Sequence, residues 1–150
     1  MAVALAEAQA AALRGEIPVG AVIVDYAGAV VVAAGNRCRE RHDPTAHAEI
    51  LVIRAAGAAL QSERLIGCTL FVTLEPCAMC AAAISHARLA RLVYGASDPK
   101  SGGVAHGARV FDHAQCHHVP EVVAGIGEAA AAELLREFFR ERRRGPALGE

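Results

Sequence analysis

Hydrophobic and polar positions follow two rhythms along this chain. From Ala2 to Arg14, small apolar residues broken by Glu7 and Gln9 predict an amphipathic first helix that stops at Gly15. "VGAVIVD" (19–25) and "AVVVAAG" (29–35) are short apolar runs joined by the turn residues "YAG", which predicts a β-hairpin. "AHAEILVIRAAGAA" (46–59) returns to helical spacing, with Asp43 or Thr45 as its candidate N-cap. "CTLFVTLE" (68–75) is continuous enough for a buried strand, and Pro76 then opens a helix through about His86, proline being suited to the first helical position. "RLVYGA" (91–96) predicts another strand, followed by a Gly- and His-rich loop from Ser97 to His118. "EVVAGI" (121–126) is expected to be a fifth strand, and "GEAAAAELLREFFRERRR" a terminal amphipathic helix.

Strands alternating with helices after an initial hairpin imply an α/β fold, a mixed sheet with helices on both faces. Ligands in such folds lie beyond the strand ends, where helices begin. The length of 150 residues suits one domain, residues 1–150, with no repeat or linker breaking it. Hydrophobic residues make up 54% of the chain, but no window approaches the roughly 18 apolar residues of a membrane span. The N-terminal stretch lacks a preceding basic region, so it reads as a helix and not a signal peptide, and a cytoplasmic protein with no membrane partner is expected.

The net charge of −1 argues against a generally basic nucleic-acid binder. All basic residues except Lys100 are arginine, and "REFFRERRR" concentrates them near the C-terminus. Arg140, Arg142, Arg143 and Arg144 there are candidate phosphate contacts, the competing reading being a solvated helix face. Phe138 and Phe139 are candidates for base stacking, against core packing of the same helix.

The five cysteines are Cys38, Cys68, Cys77, Cys80 and Cys116. An odd number without an export signal argues against a disulfide framework. Cys77 and Cys80 share one helix face in the first turn, where the helix dipole favours thiolates. They form half of a tetrahedral zinc site or a redox pair. His47, at the start of the other reactive helix, supplies a third ligand and leaves a fourth position for water, the arrangement of catalytic zinc. Glu49, two residues on, suits a base that stands near the metal without ligating it. Cys38, Cys68 and Cys116 are taken as core or loop residues; Cys116 stands beside His117 and His118 without a trusted ligand spacing.

The pairing of "HAE" with "EPCAMC" resembles the zinc nucleobase deaminases. "EIPVGAVIV", "GNRCRERHDPTAHAEI", "LFVTLEPCAMCAAAISHARLARLVYGASDPKSGG" and "ELLREFFRERRR" extend the likeness, from about Glu16 to Arg144, to the bacterial tRNA-specific adenosine deaminases of the cytidine/deoxycytidylate deaminase superfamily. That resemblance implies a three-layer α/β/α sandwich around a five-stranded mixed sheet. It implies one zinc ion per chain on His47, Cys77 and Cys80, with Glu49 as the catalytic proton shuttle. Asn36, Ala48, Asp98, Lys100 and Ser101 fall at its substrate-binding positions. The implied reaction is hydrolytic deamination of adenosine to inosine at the wobble position of a tRNA anticodon. The implied partners are the anticodon stem-loop and a second copy of the chain.

Two alternatives stay open: a deaminase of a free base, nucleoside or nucleotide (guanine, cytosine or deoxycytidylate), and a non-enzymatic zinc or redox C-x-x-C module. The first helix looks shorter than the family's usual one. "VAHGARVFDHAQCHHVPE" departs from the family pattern, so no contact is assigned to His113 or His118.

Overall fold

The computed structural model describes residues 1–145. Helix α1 (Ala2–Leu13) lies on strands β1 (Gly20–Val24) and β2 (Val30–Gly35) through a stripe of fully buried alanines, Ala4, Ala8 and Ala11. The approach is very close: a Cβ at Gly20 would stand 2.0 Å from the Ala4 carbonyl oxygen, and one at Gly35 would stand 2.6 Å from that of Glu7. Only glycine permits helix and sheet to meet at that distance.

β1 and β2 form the expected antiparallel hairpin, with Gly20 opposite Gly35 and Ile23 opposite Val32. Its turn is closed by Asp25, whose Oδ1 accepts the backbone N–H groups of Ala27 and Ala29, both at 2.9 Å. β1 pairs antiparallel with β3 (Thr69–Leu74); β3 pairs parallel with β4 (Arg91–Ala96), and β4 parallel with β5 (Glu121–Val123). The order is β2-β1-β3-β4-β5, the mixed five-stranded sheet that was expected. Helices α3 (Ala48–Leu60) and α4 (Ala78–His86) cover one face; α1 and α5 (Glu128–Arg144) cover the other. Ile23, Leu70, Val72 and Leu92 from the sheet meet Val52, Ala56, Ala81 and Ile84 from α3 and α4 in the main core. No helix among the described residues is long and apolar enough to cross a membrane.

Four boundaries differ from the sequence expectation. α4 begins at Ala78 with Cys77 as its N-cap, so Pro76 stands just before the helix and not at its first position. A one-turn helix, α2 (Cys38–Arg41), forms where no element was expected, because the buried Glu16 carboxylate accepts the N–H groups of Arg39 and Glu40, both at 2.9 Å. The strand expected over 121–126 stops at Val123, since Gly125 and Gly127 both take positive φ and turn the chain into α5. α3 is capped at His47 and not at Asp43 or Thr45. Asp43 Oδ1 is already occupied by the Thr45 N–H (2.8 Å) and hydroxyl (2.7 Å), a local turn that competes with helix capping.

Candidate metal centre and active site

His47 and Cys77 occupy equivalent places. Each is the N-cap of its helix, α3 and α4, in extended backbone, and neither caps the helix with its side chain. Their side chains are thereby free to turn toward each other beyond the helix ends. His47 Nδ1 lies 3.7 Å from Cys77 Sγ and 3.5 Å from Cys80 Sγ. The three potential ligand atoms all fall within 4.8 Å of one another. A tetrahedral zinc ion with Zn–S near 2.3 Å and Zn–N near 2.0 Å separates its ligands by roughly 3.5–3.8 Å, so these donors fit that ion.

The electrostatics of the metal-free cluster point the same way. The Cys77 thiol is brought down to about 4, chiefly by the hydrogen bond from Cys80 and then by His47, against the opposing effect of burial. The Cys80 thiol is pushed up, first by that same partner and then by burial. The thiolate form is thus favoured at Cys77, the form in which a thiol ligates a divalent cation. His47 is raised above its ordinary value, mainly by its hydrogen bond with Cys77.

Glu49 sits one residue inside α3 and is 3% exposed. Burial raises its carboxyl to about 7, the start of its own helix and His47 opposing. Its Oε2 is the only buried side-chain polar atom among the described residues that has no hydrogen-bond partner. A buried carboxylate oxygen left unsatisfied is costly. Here it lies beside a three-donor set whose fourth coordination position would be filled by water, the partner that it lacks.

Asn36 closes the other side of the α3 start. Its Oδ1 accepts the Ala48 N–H at 2.8 Å, while its backbone is tied to Val19 and to the Arg14 guanidinium. That bond fixes the amide orientation and leaves Nδ2 as a donor with no acceptor among the described residues. Ala48 is fully buried.

Asp98, Lys100 and Ser101 lie on a loop joined to the metal cluster through the chain around Cys77. Asp98 Oδ1 accepts the N–H groups of Lys100 (3.2 Å) and Ser101 (2.9 Å), leaving those two residues exposed at the surface. The loop is fastened by Glu75, a residue that the sequence pattern does not single out. Glu75 is 2% exposed. Its Oε2 accepts from the Asp98 N–H (2.9 Å) and stands 2.8 Å from His106 Nδ1; its Oε1 accepts the N–H groups of Val104, Ala105 and His106 at 2.8–3.2 Å. Burial would raise this carboxyl, but the hydrogen bonds, led by Asp98, prevail and lower it. The available signal was an acid closing an otherwise apolar strand, directly before Pro76-Cys77.

The arginines of α5 lie on the far face of the sheet from α3 and α4. Arg142 donates to the Gly15 carbonyl (2.6 Å), and its guanidinium lies 4.5 Å from the centre of the Phe138 ring. Arg140 stands 3.6 Å from Glu133; Arg143 and Arg144 are exposed. Phe138 is buried at 7% exposure and touches Phe139, which is 41% exposed, edge to face.

All five cysteines are free, and among the described residues His47, Cys77 and Cys80 are the only metal-ligand cluster. Cys116 belongs instead to a knot with Ser85 and His118 that ties the long loop to the end of α4. The rings of His113 and His118 donate to the carbonyls of Ala108 and Leu89.

Comparison with known proteins adds a family. The model of the cytidine and deoxycytidylate deaminase zinc-binding region matches residues 1–96, which include His47, Glu49, Cys77 and Cys80. A tRNA-specific adenosine deaminase of Agrobacterium fabrum is 57% identical over 143 residues, 95% of this chain and 93% of its own. One from Haemophilus influenzae is 45% identical over 143 residues, 95% of this chain and 83% of its own. A solved structure from studies of A-to-I editing by tRNA:A34 deaminases at the wobble position of transfer RNA has a TM-score of 0.88 at 56% identity, covering 90% of this chain and 97% of that one.

Proposed function

This chain belongs to the zinc-binding cytidine and deoxycytidylate deaminase family, and we propose that it hydrolytically deaminates adenosine to inosine at the wobble position of a tRNA anticodon. The observation that carries the reading is the orphaned Glu49 carboxyl oxygen beside the His47–Cys77–Cys80 donor set. The whole chain, residues 1–150, serves as one deaminase domain.

His47, Cys77 and Cys80 hold one zinc ion per chain. When bound, zinc supplies the Lewis acidity that makes water a nucleophile near neutral pH. Glu49 moves the protons: it takes one from the attacking water, delivers it to N1 of the purine, and later protonates the departing amine. One water is consumed. Its oxygen becomes the carbonyl oxygen at C6, the C6–N bond breaks, and ammonia leaves. The burial of Glu49 at the start of α3 holds its carboxyl where it can both take and give a proton.

Asn36 donates from Nδ2 to the base and, through Ala48, fixes the pocket wall. Asp98, Lys100 and Ser101 form the RNA-facing loop, and Arg140, Arg142, Arg143 and Arg144 offer cationic contacts to phosphates. The target nucleotide must be turned out of its stack, at a cost of a few kcal/mol that is smaller in a loop than in a duplex. The working form is a cytoplasmic homodimer bound to an anticodon stem-loop.

The test is parallel incubation with a wobble-adenosine stem-loop and with free adenosine, guanine, cytidine and deoxycytidylate, following ammonia and base mass. Release from the stem-loop alone is expected. Turnover of a free base with none of the RNA would replace this reading with that of a free-base deaminase.

A further inference from the structure

Two buried acids, Glu49 and Glu75, flank the donor residues in sequence, and Glu75 is the one that fastens a loop. The chain on either side of Cys77 carries the loop over 98–107. The Gly103 N–H donates to the Pro76 carbonyl at 2.8 Å, and a Cβ at Gly103 would stand 2.4 Å from the Ala78 nitrogen. A Cβ at Gly102 would stand 2.6 Å from Glu75 Oε1. The loop is therefore pressed flat against the residues that flank a metal ligand, with the Glu75 carboxylate as its anchor.

The anchor has two halves. Oε1 gathers Val104, Ala105 and His106; Oε2 takes Asp98 and the His106 ring. Asp98 in turn organises the rest, because its side chain accepts from Lys100 and Ser101 and its carbonyl accepts the Gly102 N–H at 2.8 Å. The bond from the Asp98 N–H to Glu75 Oε2 thus fastens the end of the loop that carries the exposed Lys100 and Ser101.

We propose that Glu75 is a positioning residue for RNA, holding the segment Asp98–Ser101 in register with the metal centre through its Oε2. The proposal rests on the deaminase reading for its RNA partner, but its structural half is independent of it. Glutamine at this position tests it sharply. Its carbonyl oxygen can keep the three N–H groups of Val104, Ala105 and His106. Its NH₂ group then faces the Asp98 N–H, donor against donor, while a neutral His106 ring can still accept from it. Glu75→Gln thus releases the Asp98 half and spares the other.

The experiment combines site-resolved hydrogen exchange, zinc content and steady-state kinetics on an anticodon stem-loop for wild type, Glu75→Gln and Glu75→Ala. In Glu75→Gln the amides of Asp98, Lys100, Ser101 and Gly102 should exchange about tenfold faster, with Val104–His106 changed by less than about threefold. Zinc should stay at the wild-type level. The KM for the stem-loop should rise about tenfold, with kcat reduced by less than about threefold, as expected when a binding element forfeits one charge-assisted bond. Glu75→Ala should release both halves. Unchanged exchange at Asp98–Gly102 would overturn the proposal, as would a fall in kcat at constant KM. If wild type does not deaminate the stem-loop, the functional reading falls, and the exchange pattern still decides whether Glu75 anchors the loop. The isosteric Glu75→Gln carries the test should Glu75→Ala fail to fold.

Discussion

The Asn36 side-chain oxygen lies 2.8 Å from the Ala48 nitrogen and so caps α3 from outside the helix. The helix's own N-cap, His47, makes no such bond, because its ring is turned toward Cys77 and Cys80. A candidate metal ligand stands where a capping side chain would, and a residue from the end of β2 supplies the missing bond. One amide thereby serves stability with its oxygen and leaves its nitrogen without an acceptor among the described residues.

Two variants separate these roles. Asn36→Asp keeps the acceptor and removes the donor; Asn36→Ala removes both. Asn36→Asp should unfold thermally near wild type yet lose at least about tenfold in kcat/KM. Asn36→Ala should in addition cost about 1 kcal/mol of stability, the usual worth of an N-cap. Full activity in Asn36→Asp would remove the amide nitrogen from substrate recognition.

This arrangement also explains what could be read from the chain. His47, Glu49, Cys77 and Cys80 were legible because each lies within a turn of a helix start that local signals mark, Pro76 most clearly. The hairpin was legible from its alternation and turn residues. The N-cap of α3 was not: Asp43 and Thr45 carry the right side chains but satisfy one another. Helix α2 was hidden because the carboxylate that caps it, Glu16, is 23 residues away from Arg39 in sequence. Glu75 escaped for the same reason, since its partners lie at 98–106 and no short spacing announces them.

Glu49→Gln should retain zinc, about one per chain by metal analysis, and lose deamination by several orders of magnitude. Near-normal turnover in this variant would remove Glu49 from proton transfer.

The same variant should change how metal-free stability depends on pH. The folded-state carboxyl is raised from 4.5 to about 7, so between those values the folded protein binds more protons than the unfolded chain. Stability from this group is therefore present below pH 4.5 and declines as pH rises toward 7, by on the order of 3 kcal/mol. Cys77, depressed to about 4, contributes the opposite slope in both proteins. Glu49 also raises His47 and Cys80, so the difference between the two proteins reports Glu49 together with its pull on those neighbours. Urea unfolding in the presence of a chelator should show Glu49→Gln gaining on wild type from pH 4.5 to 7, then holding a constant lead. Parallel curves across that window would show that burial does not raise this carboxyl.

Chelation should also order the reactivity of the thiols. Cys77 is half-buried with its thiolate strongly favoured, whereas Cys80 is buried and its thiol raised. The thiolate is the species that alkylates. Mass mapping after brief iodoacetamide treatment at pH 6 should find Cys77 labelled first when zinc is removed and neither residue labelled when zinc is bound. Labelling of Cys77 that ignores the chelator would mean that it is not a metal ligand.

The arginines of α5 divide by what they already touch. Arg142 already braces the fold, clasping the end of α1 through the Gly15 carbonyl and covering the Phe138 ring. An exposed bond and cation–π contact of this kind contribute about 1 kcal/mol together. Arg143 and Arg144 are exposed, with no ion pair among the described residues. Arg142→Ala should lower the unfolding temperature by several degrees, as expected for a domain of this size. The Arg143→Ala, Arg144→Ala double variant should leave that temperature unchanged while weakening RNA binding. Its signature is the salt dependence: each phosphate that is no longer neutralised should flatten the plot of log affinity against log salt by roughly 0.7–0.9. A double variant whose affinity and salt slope both match wild type would place the RNA away from this end of α5, and the arginines there would be no more than a solvated helix face.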